Sequence, residues 1–144
     1  MKLDTEDLIV NLFFKKNFRK RIKYELKRED KRRSCLDRLE LCYYNKYLDM
    51  DLGISLRKIP LSDHKDLLVK YGAEKSCYLL GIDIEDGGAE AAIDEAIEIA
   101  WRNQGACLVY CGNGVAYFTT EIYLGSQTRT AYLLYNKNYL QFIK

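Results

Sequence analysis

The chain has one proline and one histidine in 144 residues, and it lacks any long hydrophobic run. Each scarcity excludes something. With Pro60 alone and no Gly/Ser tract, nothing marks a linker or a low-complexity segment, so an ordered chain is expected. No stretch approaches the roughly 18 consecutive apolar residues of a membrane span. Residues Met1 to Asp7 carry acids where a secretory signal needs a basic start and an apolar core, which points to the cytoplasm. No GxxxxGK[ST], GxGxxG or GxSxG motif occurs, so no cofactor and no catalytic residue is expected. The single histidine, His64, sits in Leu61-Ser62-Asp63-His64-Lys65 and reads as an exposed residue in the first turn of a short helix. Pairing it with Cys77 or Cys111 as a nucleophile has no support in spacing.

Cysteine is present five times, as Cys35, Cys42, Cys77, Cys107 and Cys111. The number is odd and no paired CxxC occurs, so neither a disulfide scaffold nor a zinc site is expected. These residues read as small buried apolar side chains. Cys107 and Cys111, four apart, share a face if that run is a strand.

What is present fits one domain, 1–144, with a helical part over about 1–52 and a mixed part over about 53–144. Leu8, Ile9, Leu12 and Phe13 form one helical face behind Thr5 as a cap. Phe18, Ile22 and Leu26 mark a second helical stretch, and Leu36, Leu39, Tyr43 and Tyr47 a third. Further on, Ile54 to Ile59 and Cys77 to Ile82 read as strands, and Ser62 to Tyr71 as a short helix closed by Gly72. An amphipathic helix over about 89–103 places Ile93, Ala96, Ile97, Ala100 and Trp101 in one arc. Gly112-Asn113-Gly114 joins two strand-like runs as a hairpin turn, and Asn136-Lys137-Asn138 suggests a second hairpin. The expected class is α+β, a helical N-terminal region over about 5–50 packed with a mostly antiparallel sheet.

The net charge of +2 is unevenly spread: residues 1–50 hold 14 Lys/Arg against 9 Asp/Glu, and residues 51–104 hold 6 against 11. The strongest concentration runs from Lys15 to Arg33, with 11 Lys/Arg against Glu25, Glu29 and Asp30. As one helix, that segment would align Lys16, Lys20, Lys23, Lys27 and Lys31 in a stripe opposite Phe18, Ile22 and Leu26. Like charges one turn apart repel, and a phosphate backbone or an acidic partner would relieve the cost. The plainer reading is a solvated face. The acidic loop Asp83 to Gly88 departs from a calcium loop and reads as a turn, so no metal is expected there.

Twelve tyrosines are many for this length. Tyr110, Tyr117, Tyr132 and Tyr135 either fill a core or build a protein-binding platform. Phe18 to Leu26 with Lys31-Arg32-Arg33 and Leu36 to Leu39, taken with Gly105 to Leu108, Gly114 to Phe118 and Glu121, resemble a group of small bacterial proteins of unknown function. That resemblance implies a bacterial or phage origin and no mechanism. The reading that follows is a non-enzymatic protein-binding module, of inhibitor or immunity type, with no membrane partner. The alternatives are sequence-nonspecific nucleic-acid binding through residues 15–33 and a small enzyme with an unrecognised site.

Overall fold

The computed structural model describes residues 2–40, 44–103, 105–120 and 130–142. Cys42, Tyr43 and Glu121 from the sequence patterns lie outside them. Six helices occur among the described residues: α1 (Lys2–Phe13), α2 (Lys16–Lys27), α3 (Glu29–Glu40), α4 (Tyr44–Tyr47), α5 (His64–Lys70) and α6 (Ile93–Arg102). Six strands, β1 (Gly53–Ser55), β2 (Ser76–Leu80), β3 (Gly88–Ala92), β4 (Cys107–Tyr110), β5 (Val115–Thr119) and β6 (Ala131–Tyr135), form one antiparallel sheet. Its spatial order is β1-β6-β5-β4-β2-β3. The class is α+β, with helices dominating the first half and the sheet the second.

Both faces of the sheet are covered, and the period of two along each strand decides what touches what. Tyr78, Leu80, Leu108, Tyr110, Ala116, Phe118 and Leu134 face α1, α2 and α3, where Ile9, Leu12, Phe13, Ile22, Leu26 and Leu36 meet them. Their neighbours Cys77, Leu79, Cys107, Val109, Val115, Tyr117 and Leu133 face α5 and α6. The result is three layers with two separate cores. Because both faces are buried, β4 and β5 are apolar without alternation, which the sequence shows as continuous runs.

Several boundaries differ from the sequence reading. α1 begins at Lys2, so Thr5 lies inside the helix and not at its N-cap position. The basic segment is two helices, not one: the backbone turns extended at Arg28 (φ −97°, ψ 120°). Residues 88–92 form the edge strand β3, and α6 starts only at Ile93. The free edge of β2 offers a full ladder there, which outweighs the helical preference of the alanines. The β4–β5 hairpin forms as expected, with Gly112, Asn113 and Gly114 all at positive φ. The second hairpin does not, because Tyr139–Phe142 is a 3-10 turn. Instead β6 returns beside β5, and Asn136 seals the corner by donating through Nδ2 to the Leu12 carbonyl of α1 at 2.9 Å.

Candidate functional site

α2 is the most polarised element of the described chain. Its twelve residues carry six Lys/Arg against Glu25 alone. Burying Ile22 and Leu26 turns Lys16, Lys20 and Tyr24 outward at successive i+4 positions. Tyr24 is 52% exposed, and the Arg28 guanidinium lies 5.6 Å from its ring centre. On the opposite layer, α6 presents three acids against Arg102. The basic and acidic helices therefore stand on opposite faces of the sheet.

The five lysines of the expected stripe do not act as one set. Lys23 donates to Asn11 Oδ1 at 2.9 Å, and Lys27 pairs with Asp7 at 2.7 Å, both on α1. The break at Arg28 carries Lys31 onto α3. Lys16, Lys20 and Lys31 stay exposed and form no ion pair among the described residues. Tyr24, which the charge pattern did not single out, is their aromatic neighbour; its signal was the i+4 step from Lys20.

The break itself is held by a buried clamp. Glu6 of α1 is 2% exposed, and Arg32 binds both of its carboxylate oxygens at 2.6 Å. The same guanidinium donates to the Leu26 carbonyl at 3.0 Å and to the Asp86 carbonyl at 2.8 Å. Tyr78 donates its hydroxyl to Glu6. Burial, then that carboxylate, raise the Tyr78 hydroxyl well above the usual tyrosine range, so it remains a donor. Gly88 is fixed by this cluster, since a Cβ there would lie 2.7 Å from Tyr78 Cζ and 2.8 Å from Glu6 Oε2. Beside the clamp an open cleft of about 520 Å³ is bordered by Lys27, Glu29, Arg33, Ile84 and Asp86. A small, partly open apolar hollow of about 40 Å³ lies between Phe14, Leu80 and Phe118, room for only a few waters.

Glu25 forms a second clamp, accepting from Arg38 and from Arg21 at 3.3 Å. Burial pushes its carboxyl up, but the two guanidinium groups outweigh that and hold it below the usual range.

On the other face, His64 is not the exposed residue that its sequence position suggested. It is 2% exposed. The 3-10 turn Leu61–Asp63 rotates it inward, where Nε2–H donates to the Ile59 carbonyl at 2.9 Å. Nδ1 accepts from the Tyr117 hydroxyl at 2.6 Å, and Trp101 donates its indole N–H to that same oxygen. This network is structural, linking α5, α6 and β5 through one ring.

The four tyrosines divide between the two faces, leaving no common platform. Tyr110 and Tyr117 are buried in opposite cores, while Tyr132 and Tyr135 are half-buried, Tyr132 beside Phe118 and Tyr135 against Tyr71. Cys35, Cys77, Cys107 and Cys111 are buried thiols, as the composition suggested. The acidic loop is closed by its own contacts: Asp83 accepts from the Gly105 N–H at 3.1 Å, and Asp86 sits at φ 58°. No cluster of three or more metal-binding side chains occurs among the described residues, and none of their helices is long and apolar enough to cross a membrane.

Fold and site together define an α+β three-layer sandwich about an antiparallel sheet, whose most strongly basic helix among the described residues is α2. No known protein family, curated protein or solved structure matches the chain.

Proposed function

We propose that the protein is a non-enzymatic binding module that captures an acidic partner protein through the open face of α2 and its corner with α3. The observation that carries this reading is the column Lys16, Lys20, Tyr24, in which a half-exposed aromatic ring follows two lysines that form no ion pair among the described residues, with Arg28, itself paired with Asp30 at 3.2 Å, over the ring. Tyrosine and arginine at the centre of a surface are the types whose burial contributes most to protein association. Lysines around them speed and orient the approach of an acidic surface. Arg28, over the ring face of Tyr24, adds a cation–π contact to this aromatic. An inhibitor or immunity-type role fits this face, since a basic helix can cover an acid-lined site on its partner. The groups best suited to chemistry are engaged elsewhere, His64 through both ring nitrogens and Glu6 through Arg32.

The second reading, sequence-nonspecific nucleic-acid binding, rests on Lys16, Lys20 and Lys31, with Lys23 and Lys27 partly drawn away by α1. One titration separates the two. A fluorescent peptide rich in Glu and Leu and a random-sequence duplex, as DNA and as RNA, are titrated across a salt series. The variants are Tyr24→Ala and the pair Lys16→Glu with Lys20→Glu. The protein reading expects the peptide to bind, and Tyr24→Ala to weaken it by about 30-fold, the size of a hot-spot truncation near 2 kcal/mol. Duplex binding that falls steeply with salt and ignores Tyr24 would transfer the function to nucleic acid. If neither probe binds at low salt, this face is a solvated one.

A further inference from the structure

The sheet brings two thiols together on the side away from α2. The antiparallel register of β2 with β4 runs Leu80↔Leu108, Leu79↔Val109, Tyr78↔Tyr110. The ladder ends at Tyr78↔Tyr110, and the same register carried one step further sets Cys77 opposite Cys111, whose carbonyl accepts from the Glu74 N–H just before β2 at 2.6 Å. Both side chains point into the core shared with α5 and α6, where the Cys111 thiol donates to the Val109 carbonyl at 3.7 Å and the Cys77 thiol lies 4.0 Å from the Glu74 carbonyl. Directly opposed residues of an antiparallel pair have Cα atoms about 4.5 or 5.5 Å apart. Either spacing lies inside the roughly 4.4–6.8 Å range that a disulfide spans. Sequence spacing hid this pair, because the 34 positions separating them are closed only by the strand order.

We propose that Cys77 and Cys111 form a reversible cross-strand disulfide when the folded protein meets a peroxide. The Cys77 thiolate attacks one peroxide oxygen, the O–O bond breaks, and hydroxide leaves and takes up a proton as water. The Cys111 sulfur then attacks the Cys77 sulfenic acid, and the S–O bond breaks with loss of a second water that carries the Cys111 proton. Two thiols are oxidised to one disulfide and the peroxide is reduced to two waters. The roles of the two sulfurs follow from their surroundings. The neighbouring Cys111 is the larger influence on Cys77 and holds its thiol below the usual range, while Cys77 and then burial raise Cys111 well above it. Cys77 also lies nearer solvent, 3% exposed against 0%, beside the exposed run Glu74-Lys75-Ser76. Cys35 is the contrast: burial pushes it up to about 12, and it faces the other core.

The experiment treats the native full chain with hydrogen peroxide, blocks remaining thiols, and maps cross-linked peptides by mass spectrometry. The expected product joins the peptide containing Cys77 to the one containing Cys107 and Cys111. It persists in Cys107→Ser and disappears in Cys77→Ser and in Cys111→Ser. Closing so long a loop should also raise the wild-type Tm by on the order of 10 °C, reversed by a thiol reductant. Retention of all five thiols by native protein, a cross-link to any other cysteine, or a cross-link formed only in denaturant would overturn the proposal. The wild-type protein alone decides it should a serine variant fail to fold.

Discussion

At the scale of single residues, the described chain places its strongest polar contacts where helices end or turn. Glu25 illustrates the physics. Near the C-terminal end of α2 a carboxylate faces the negative end of the helix dipole, an unfavourable position by itself. Arg38 from α3 and Arg21 one turn earlier reverse that balance and hold the carboxyl low. A depressed folded value means the contribution is complete above the unfolded carboxyl range, near 4.5, and disappears as pH falls through the lower folded value. Glu25→Gln is therefore expected to lose about 1 kcal/mol of stability at neutral pH. The gap to wild type should close as the pH drops below 4.5, read from urea midpoints across a pH series. A gap that stays constant down to the acid limit would mean that shape, not charge, is what Glu25 contributes.

At the scale of elements, some of the fold was legible and some was not, and the divide is physical. The α6 stripe and the Gly112-Asn113-Gly114 turn were readable because local periodicity and positive φ are properties of neighbouring residues. The α2–α3 break was not. No glycine or proline marks it, and it exists because Arg32 reaches back to the Leu26 carbonyl, to Glu6 on α1 and to the turn before β3. Nor was β3, where pairing with β2 overrides alanine. His64 was misread because a 3-10 turn, not a cap, sets its direction, and only Tyr117, 53 positions away, reveals its role. The exposed lysines at 16, 20 and 31 were visible in the sequence, whereas the diversion of Lys23 and Lys27 needed α1 beside α2. Arg32 is thus the joint of four elements and the sharpest test of this account. Arg32→Leu strands a buried carboxylate, so a loss of about 3–5 kcal/mol is expected in chemical denaturation. The double variant Arg32→Leu with Glu6→Leu should recover a large part of it, because both charges then leave together. A double variant no better than the single would show that the hydrogen bonds to Leu26 and Asp86, not the ion pair, hold the joint.

At the scale of the whole molecule, the question is whether two cores make one cooperative unit. The strands supply both, with Tyr78 and Leu80 on one side of β2 and Cys77 and Leu79 on the other, so neither core can loosen without exposing the back of the other. Burial of Phe13 and Phe14 alone contributes on the order of 2–3 kcal/mol each to the helical side. That side also bears the mutual repulsion of α2, whose six cations meet few acids on their own helix. The molecule offers separate reporters for its layers. Trp101, the single tryptophan, sits in α6 and donates to Tyr117, so its emission follows the core beneath α5 and α6. Far-ultraviolet circular dichroism is weighted toward α1, α2 and α3, the longest helices of the described chain. We expect the two signals to share one denaturant midpoint and one slope, as a single domain over residues 1–144 requires. If ellipticity falls first while tryptophan emission holds, the helical part over about 1–52 is a separate unit resting on the sheet. The binding face on α2 would then belong to the less stable layer, the one that local unfolding opens first.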